Sequence, residues 1–402
     1  MSLLAIWRTA GVVAALSLVT ACGGGGGAAS PTTAPAKPTE AAAKPATSGA
    51  PVPAVAAGGT NPWDMPGAGL VKGLLDGDAK QLTGAGATFP APLYTKWFDT
   101  YNGLAGVQVN YQSIGSGGGI KALTDNTADF GASDAPMSDE QLNAVKADVL
   151  HIPMTLGAVV VTYNVPELAS TKLKFSGATL AGIYLGEIKK WNDPKIAADN
   201  AGANLPDKEI VVVERSDGSG TSFIWTDFLS STSDQWKSAV GKGTSVNWPT
   251  GIGAKGNEGV SGEVKQDPYS IGYVELAYAI QNQLPVSQIK NSAGSFVDPT
   301  LETVTAAAGA ANLAPDLRVS IVNPDGATAY PISSFTWILV RKDMSETARA
   351  QALTRLLWWA IHDGQKLSAD LTYAPLPGSV VQKDEEKINS VTVNGKPAFP
   401  NK

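Results

Sequence analysis

Short apolar runs recur along the chain, and each leads through a turn rich in glycine and hydroxyl side chains into a segment with helical spacing of apolar residues. Three such units span residues 81–101, 107–123 and 209–229. A short buried run followed by an amphipathic segment predicts a strand, a turn and a helix. Repetition of this unit predicts an α/β protein with a mostly parallel sheet and helices on both faces.

The third turn, residues 215–222, has one arginine at its entry, followed by serine, glycine and threonine. The N-terminus of a helix presents free N–H groups and the positive end of the helix dipole, which together bind anions. Gly220 lets the backbone approach a guest, and Ser219 and Thr221 can cap the helix or donate hydrogen bonds. The stretch predicts an oxyanion site, although an ordinary capped turn beside a surface Arg215 fits the same residues equally well.

The turns at residues 84–92 and 113–120 contain the same residue types. The first lacks the lysine of a P-loop and the third glycine of a dinucleotide fingerprint, so it is weak evidence alone. Ligands of open α/β sheets bind at the carboxyl ends of strands, where all three turns lie, so we expect them to converge on one anion. Asp134 also follows an apolar strand, and its position alone favours a cap or a turn residue.

The remaining pattern predicts further strands at 149–153, 156–163, 269–274 and 332–340, and helices at 179–186, 194–199, 348–359 and 380–388. A short helix is expected within residues 61–78, and residues 251–262 are glycine-rich and polar. About 320 residues follow position 80, more than one hydrophobic core usually serves, so two lobes are expected. Segments 156–163 and 332–340 are long and apolar, and we expect them to cross between the lobes.

The first residues have the pattern of a bacterial lipoprotein signal. Arg8 precedes an uncharged stretch, residues 9–21, that is too short to span a bilayer and ends at Cys22, the only cysteine. Residues 1–21 are therefore predicted to be a signal peptide and Cys22 a lipid acceptor, with an uncleaved anchor as the alternative. Residues 22–78, rich in Gly, Ala, Pro and Thr at their start, are predicted to form a flexible tether.

Charge and residue counts exclude several function classes. A net charge of −6 argues against a general nucleic-acid surface. Two histidines, His151 and His362, and one cysteine leave no plausible zinc or copper cluster, so no metal or cofactor is expected. A secreted serine hydrolase or phosphatase with Ser219 as nucleophile would lack the GxSxG spacing of a nucleophile elbow, so we predict a binding protein and not an enzyme.

Seven motifs in the folded part occur together in one order: GAGATFPAPLYTKW, IGSGGG, ADFGASDAPMSDEQL, YLGEIKKW, RSDGSGTSF, GYVELAYA and YAPLP. In this combination the chain resembles the PstS-type phosphate-binding proteins of bacterial ABC phosphate importers. The resemblance implies an α/β, two-lobed, periplasmic-binding-protein-like type II fold with mixed sheets and two crossover strands as a hinge. It implies lobe I at 79–157 plus 331–402, and lobe II at 158–330.

The resemblance also implies the ligand residues and reverses the interpretation of Asp134, which matches the acceptor carboxylate of the family. The matching phosphate ligands are Thr88, Phe89, Ser116 and Asp134 in lobe I and Arg215, Ser219, Gly220 and Thr221 in lobe II. Asp217 matches the carboxylate that pairs with the arginine. An ionised carboxylate only accepts hydrogen bonds, so it suits an oxyanion that keeps a proton, as phosphate does and sulfate does not.

The resemblance finally implies a biological setting. The expected protein is an extracytoplasmic, lipid-anchored monomer that captures inorganic phosphate and delivers it to an ABC permease in the membrane. A binding protein for another oxyanion, such as sulfate, molybdate or arsenate, and a phosphate sensor or adhesin without a permease are the alternatives.

Overall fold

The computed structural model describes residues 60–310 and 312–399. The predicted signal peptide, Cys22 and the tether up to residue 59 lie outside the described residues. Within the described ranges, every helix is too short or too polar to cross a membrane.

The sequence alternates strands and helices through most of its length. The strands are β1 (Gln81–Gly86), β2 (Gln108–Ser113), β3 (Phe130–Ser133), β4 (Val149–Asn164), β5 (Lys174–Phe175), β6 (Val211–Arg215), β7 (Ile252–Ala254), β8 (Ser270–Glu275), β9 (Gln288–Lys290), β10 (Phe296–Val297), β11 (Ser333–Arg341), β12 (Asp343–Met344), β13 (Thr392–Val393) and β14 (Lys396–Pro397).

The α-helices lie between these strands. They are α1 (Ala91–Ala105), α2 (Ser116–Thr124), α3 (Asp139–Val145), α4 (Gly177–Tyr184), α5 (Pro194–Asp199), α6 (Gly220–Thr232), α7 (Asp234–Ala239), α8 (Gly256–Gln266), α9 (Leu276–Gln281), α10 (Leu301–Gly309), α11 (Thr347–Ile361) and α12 (Gly378–Asn389). The three predicted strand–turn–helix units are β1 with α1, β2 with α2 and β6 with α6.

One sheet of eight strands, in the order β2-β1-β3-β11-β4-β8-β6-β7, organises the site. Its outer pairs are parallel, as the alternation predicts. Its centre is not, because β11 pairs antiparallel with both β3 and β4, and β4 pairs antiparallel with β8. The expectation of a mostly parallel sheet is therefore wrong at the centre, and the mixed sheet agrees with the two-lobed fold that the resemblance implies.

Strand β4 joins the two parts of the sheet. It is one strand, although the sequence predicted two, separated around Pro153. Residues 149–158 pair with β11, and residues 159–164 pair with β8. We call β2, β1, β3, β11 and the first part of β4 the first half of the sheet, and the rest of β4 with β8, β6 and β7 the second half.

Residues 60–78 pack against α11 and do not continue the tether that was predicted up to residue 78. The indole Nε1 of Trp358 donates to the carbonyl of Gly67 at 2.8 Å, and Met65 is buried. Asp78 forms a buried ion pair with Arg355. A single 3₁₀ turn, Pro62–Asp64, replaces the short helix that the sequence predicted.

Candidate functional site

The sheet brings the predicted site residues to the carboxyl ends of its parallel strands. Thr88 and Phe89 follow β1, Ser116 begins α2 after β2, and Asp134 follows β3. Arg215 ends β6, and the residues that follow it lead into α6. All eight predicted ligand residues are buried. Turns that lie far apart in the sequence therefore meet in one place.

The two halves contact each other at the turn before α6. The N–H of Gly220 donates to Ser116 Oγ at 3.0 Å, and the N–H of Gly117 donates to the carbonyl of Gly218 at 2.9 Å. A Cβ atom on Gly220 would lie 2.6 Å from Asp134 Oδ2, closer than carbon and oxygen can approach. Glycine is thus required at position 220 by the close approach of the backbone.

Asp134 is the carboxylate that the first half of the sheet contributes to the site. Its Oδ1 accepts from Thr336 Oγ1 at 2.8 Å, and its Oδ2 lies 3.4 Å from Ser116 Oγ. Burial raises the pKa of Asp134 to about 7, against the opposing effects of the Thr336 hydrogen bond and the positive charge of Arg215. A carboxyl group in this state can change its role from acceptor to donor near neutral pH.

Arg215 and Asp217 form a bidentate ion pair inside the second half. Nε and Nη2 of Arg215 donate to the two carboxylate oxygens at 2.7 and 2.6 Å. Partial burial alone would raise the pKa of Asp217, but the hydrogen bonds and charge of Arg215, with the N–H of Gly256, lower it below its usual value. Nη1 of Arg215 is buried and has no protein partner among the described residues. One guanidinium N–H₂ group is therefore available to an anion.

The hydroxyl groups of the site are held as acceptors by protein donors. Thr88 Oγ1 accepts from Asn257 Nδ2 at 2.7 Å and from the N–H of Asn257 at 3.2 Å. Thr221 Oγ1 accepts from the same Nδ2 at 3.0 Å, and Ser219 Oγ accepts from the N–H of Ser222 at 3.0 Å. Each hydroxyl has one hydrogen of its own, which remains for a guest. The arrangement presents hydrogen-bond donors to an oxyanion.

The first turn is fixed through its backbone carbonyls. The hydroxyl of Tyr278 donates to the carbonyl of Thr88 at 2.6 Å, and the hydroxyl of Tyr373 donates to the carbonyl of Phe89 at 2.7 Å. Tyr373 also lies 2.9 Å from Oε2 of Glu275. Burial raises the pKa of Glu275 well above its usual value. Oε2 of Glu275 also accepts from the N–H of Ala277 at 2.8 Å, which fixes this carboxyl group beside the first turn.

Sequence reasoning missed five residues of this network: Asn257, Thr336, Glu275, Tyr278 and Tyr373. A signal for Asn257 was present, because residues 251–262 form a fourth strand, turn and helix, made by β7 and α8. Thr336 lies inside an apolar strand, 202 positions from its partner Asp134. Its pattern indicates burial and contains no sign of a polar role.

The two histidines form hydrogen bonds with residues other than the predicted nucleophile of the alternative hydrolase. His151 Nε2 accepts from the N–H of Met137 at 3.1 Å, and burial lowers the pKa of His151 to about 3. His362 contacts the carbonyl of Trp358 and the carboxylate of Glu385, both at 2.8 Å. Neither histidine has a hydrogen bond to Ser219 within the described part of the chain.

Comparison with known proteins finds a matching family model and similar sequences. Residues 52–363 match the model of the PBP superfamily domain. The chain is 49% identical over 311 residues to the phosphate-binding protein PstS of Pasteurella multocida. The aligned region covers 77% of this chain and 90% of that protein. It is 46% identical over 305 residues to the PstS of Haemophilus influenzae, covering 75% and 91%.

Solved structures show the same fold at lower identity. One is a high-affinity periplasmic phosphate-binding protein, PfluDING, bound with phosphate, with a TM-score of 0.62, 20% identity, and coverage of 77% of this chain and 93% of that one. Another is the phosphate-binding protein of Stenotrophomonas maltophilia, with a TM-score of 0.58, 19% identity and coverage of 80% and 99%.

Proposed function

The chain belongs to the PBP superfamily and, within it, to the PstS family of phosphate-binding proteins; from this premise we propose that it captures inorganic phosphate outside the cytoplasm and delivers it to an ABC phosphate importer. The proposed ligands are the eight residues predicted from the sequence, with Asp217 orienting Arg215. Asn257 supports two of the ligand hydroxyls.

One observation supports this proposal most strongly. A buried guanidinium nitrogen, Nη1 of Arg215, and a buried carboxylate, Asp134, belong to the same cluster of hydroxyl and N–H donors. A guanidinium and hydroxyl donors alone would bind any tetrahedral oxyanion. Asp134 is the group that demands a hydrogen from the guest, and phosphate near neutral pH still has one.

Sulfate has no hydrogen to give. If it entered, Oδ2 of Asp134 would receive no hydrogen from the guest and would face a negative oxygen. Sites that leave a buried polar group unpaired reject an analogue by ~10⁴-fold. Arsenate keeps a proton and has nearly the same shape, so this carboxylate does not discriminate against it.

Phosphate would bind by bridging the two lobes, because its ligands come from both halves of the sheet. We assign residues 79–157 and 331–402 to lobe I and 158–330 to lobe II. Segments 157–165 and 330–335 would form the hinge, since they lie where the chain passes between the halves. Ligands that contact both lobes stabilise the closed form.

The setting of the protein is proposed from the sequence. Cys22 would receive the lipid after signal cleavage, and the following residues would tether a monomeric binding domain to the membrane surface. The domain would act as a carrier without enzymatic activity, with no metal or cofactor. An extracytoplasmic position agrees with membership of the PstS family.

Titration of intrinsic tryptophan fluorescence with phosphate, sulfate and arsenate tests the proposal. Trp225 stacks on Tyr273 at a centroid distance of 5.1 Å, and the Tyr273 hydroxyl accepts from the N–H of Arg215 at 3.2 Å, so a change at the site reaches an indole. Saturable binding of phosphate and arsenate without a sulfate response is expected. Equal responses to phosphate and sulfate would refute the proposal, and turnover of a chromogenic phosphate ester would refute its non-enzymatic part.

A further inference from the structure

Thr336 is a polar residue within a buried strand of mostly apolar side chains, and its hydroxyl, which also has the Tyr94 hydroxyl as a neighbour, contacts a carboxylate. Thr336 Oγ1 donates to Asp134 Oδ1 at 2.8 Å, and the side chain is fully buried. The other carboxylate oxygen, Oδ2, is the one that approaches Gly220 of the second half. The two oxygens therefore have different surroundings. Oδ1 accepts a hydrogen bond from within the first half, and Oδ2 faces the anion-binding turn.

A local irregularity of the sheet accompanies this contact. Thr336 pairs with Thr155, but the next residue, Trp337, pairs with Pro153, so β4 has one extra residue at this point. Proline cannot donate to a neighbouring strand, and a β-bulge changes the direction of nearby side chains. On the other side Trp337 pairs with Ser133, which brings Thr336 beside Asp134. Bulge and register together direct the hydroxyl at the carboxylate.

We propose that Thr336 is a positioning residue that determines oxyanion selectivity, because its hydrogen bond keeps Asp134 an acceptor toward the site. The inference rests on the proposed function and assigns a residue to the discrimination between protonated and fully deprotonated oxyanions. A threonine hydroxyl in this place can donate to an ionised carboxylate, which stabilises the charged form.

The protonated and ionised forms of Asp134 are close enough in free energy for the loss of one hydrogen bond to change which form predominates. Burial raises the pKa of this carboxyl to about 7, and Thr336 gives the largest opposing contribution. A hydrogen bond to an ionised group changes a protonation equilibrium by roughly 10- to 100-fold. Without Thr336, Asp134 would retain its own proton at neutral pH and would present a donor to the guest. A protonated Asp134 can donate a hydrogen bond to a sulfate oxygen, so the site would then admit sulfate.

The other ionisable groups around Asp134 keep one charge state in this range. Glu275 faces it from the end of β8, and burial raises the pKa of Glu275 well above its usual value. The four tyrosines around Asp134 also have raised pKa values because of burial and stay neutral; they are Tyr94, Tyr111, Tyr278 and Tyr373. Arg215 supplies the positive charge. Burial also raises the pKa of Glu214, which precedes Arg215, to about 7, but the described residues show no hydrogen bond between Glu214 and Asp134. Asp134 is therefore the ligand carboxylate whose protonation changes near neutral pH.

The test compares the full chain with T336V, which removes the hydroxyl at nearly constant shape, and T336S, which keeps it. Phosphate and sulfate association constants are measured by calorimetry one pH unit below and one above about 7, the pKa of Asp134. One pH unit above 7, the ratio of sulfate to phosphate affinity should be up to about tenfold higher in T336V than in the wild type, and its rise on acidification should begin at higher pH. T336S should follow the wild type.

The outcomes separate this inference from the proposed function. Wild-type protein that does not bind phosphate refutes both. Wild-type protein that binds phosphate and rejects sulfate, together with a folded T336V that does the same, refutes only the role of Thr336. Loss of phosphate binding in T336V without gain of sulfate binding also refutes it, since a merely structural role would give that result. If T336V does not fold, T336A undergoes the same measurements and the same criteria apply.

Discussion

At the scale of single residues, the site combines the cation Arg215 with two carboxyl groups. The pKa of Asp217, which pairs with the arginine, is lowered, whereas the pKa of Asp134 is raised. Asp217 holds two of the three nitrogens of the Arg215 guanidinium, and the third, Nη1, remains available. The pair has no net charge, so its attraction for a distant anion is small. Recognition then depends on short hydrogen bonds, which salt screens much less than long-range attraction.

We expect the phosphate affinity of the wild type to change by less than about tenfold as added salt shortens the Debye length from about 30 to about 3 Å. D217N leaves the guanidinium charge uncompensated, so its phosphate affinity should fall more steeply with salt. Calorimetry at several ionic strengths measures both slopes. D207N, at an exposed carboxylate, is the matched control. Equal slopes for D217N and the wild type would contradict this account.

Glu214 precedes Arg215 and is nearly buried, with Oε2 lacking a protein partner among the described residues. Burial raises the pKa of Glu214 from its usual value to about 7. A raised pKa in the folded state means that the group stabilises the fold below its unfolded-state value of 4.5 and that this contribution is lost as the pH rises through about 7.

E214Q should therefore reduce the loss of stability between acid and neutral pH, and above pH 7 it should exceed the wild type by about 1–2 kcal/mol. Urea denaturation at several pH values measures this difference. E209Q, which changes an exposed carboxylate five positions earlier, should leave the pH profile unchanged. Parallel profiles for E214Q and the wild type would contradict the raised pKa, because they would show that Glu214 has the same pKa in the folded and unfolded states.

At the scale of secondary-structure elements, the N-termini of α6 and α2 are in direct contact. Gly220 begins α6 and donates to Ser116, the first residue of α2. A Cβ atom on Gly220 would lie 2.4 Å from Ser116 Oγ. Because the contact joins the two halves, steric bulk here acts on their approach and not on the packing of either half.

G220A should weaken phosphate binding by about 10- to 100-fold, the range expected for overpacking a tight contact. Its thermal stability without phosphate should stay close to that of the wild type, because the atoms nearest to the added Cβ belong to Ser116 and Asp134 across the contact and to no apolar core side chain. G262A in α8 is the control, since a Cβ atom there meets nothing within 4 Å. Wild-type phosphate affinity in G220A would contradict the close approach.

The elements also show what the sequence could predict. Turn chemistry at residues 84–92, 113–120 and 215–222 predicted the three helix N-termini, because their glycines and hydroxyls serve local structure and the site together. The antiparallel centre of the sheet could not be predicted from alternation, because pairing of β3 and β4 with the distant β11 depends on tertiary packing. Pro153 suggested a break in β4, but the strand absorbs it as a bulge.

Site residues from distant segments could not be predicted either, because their role also depends on tertiary packing. Arg215 and Ser219 stand in a turn whose composition indicates an anion, and the family resemblance assigned Asp134. Thr336 has no local signal, because its role exists only where the register of β11 places it beside β3. Asn257 had a signal, a polar residue after a glycine at a helix start, and a search for a fourth strand–turn–helix unit would have found it.

At the scale of the whole molecule, the halves of the sheet share β4 and meet across the site. Asn257 of the second half donates to Thr88 of the first at 2.7 Å, and Tyr278 donates to the carbonyl of Thr88 at 2.6 Å. A guest bound between Asp134 and Arg215 would add bonds to this interface. Phosphate should therefore shift the population toward a closed form.

Small-angle X-ray scattering with and without phosphate measures this shift, and the radius of gyration should fall when phosphate is added. Sulfate at the same concentration is the control and should leave the radius unchanged. An unchanged radius with saturating phosphate would refute closure between the halves.

The central claim is that Asp134 recognises the hydrogen that the guest retains. The most direct test is calorimetric titration of wild type and D134N with phosphate and sulfate, with E140Q as a control at an exposed carboxylate of α3. Above pH 7, where Asp134 is ionised, wild type and E140Q should prefer phosphate over sulfate, and D134N should lose at least about tenfold of that preference, because an amide donates to sulfate as well. An unchanged preference in D134N would contradict the claim.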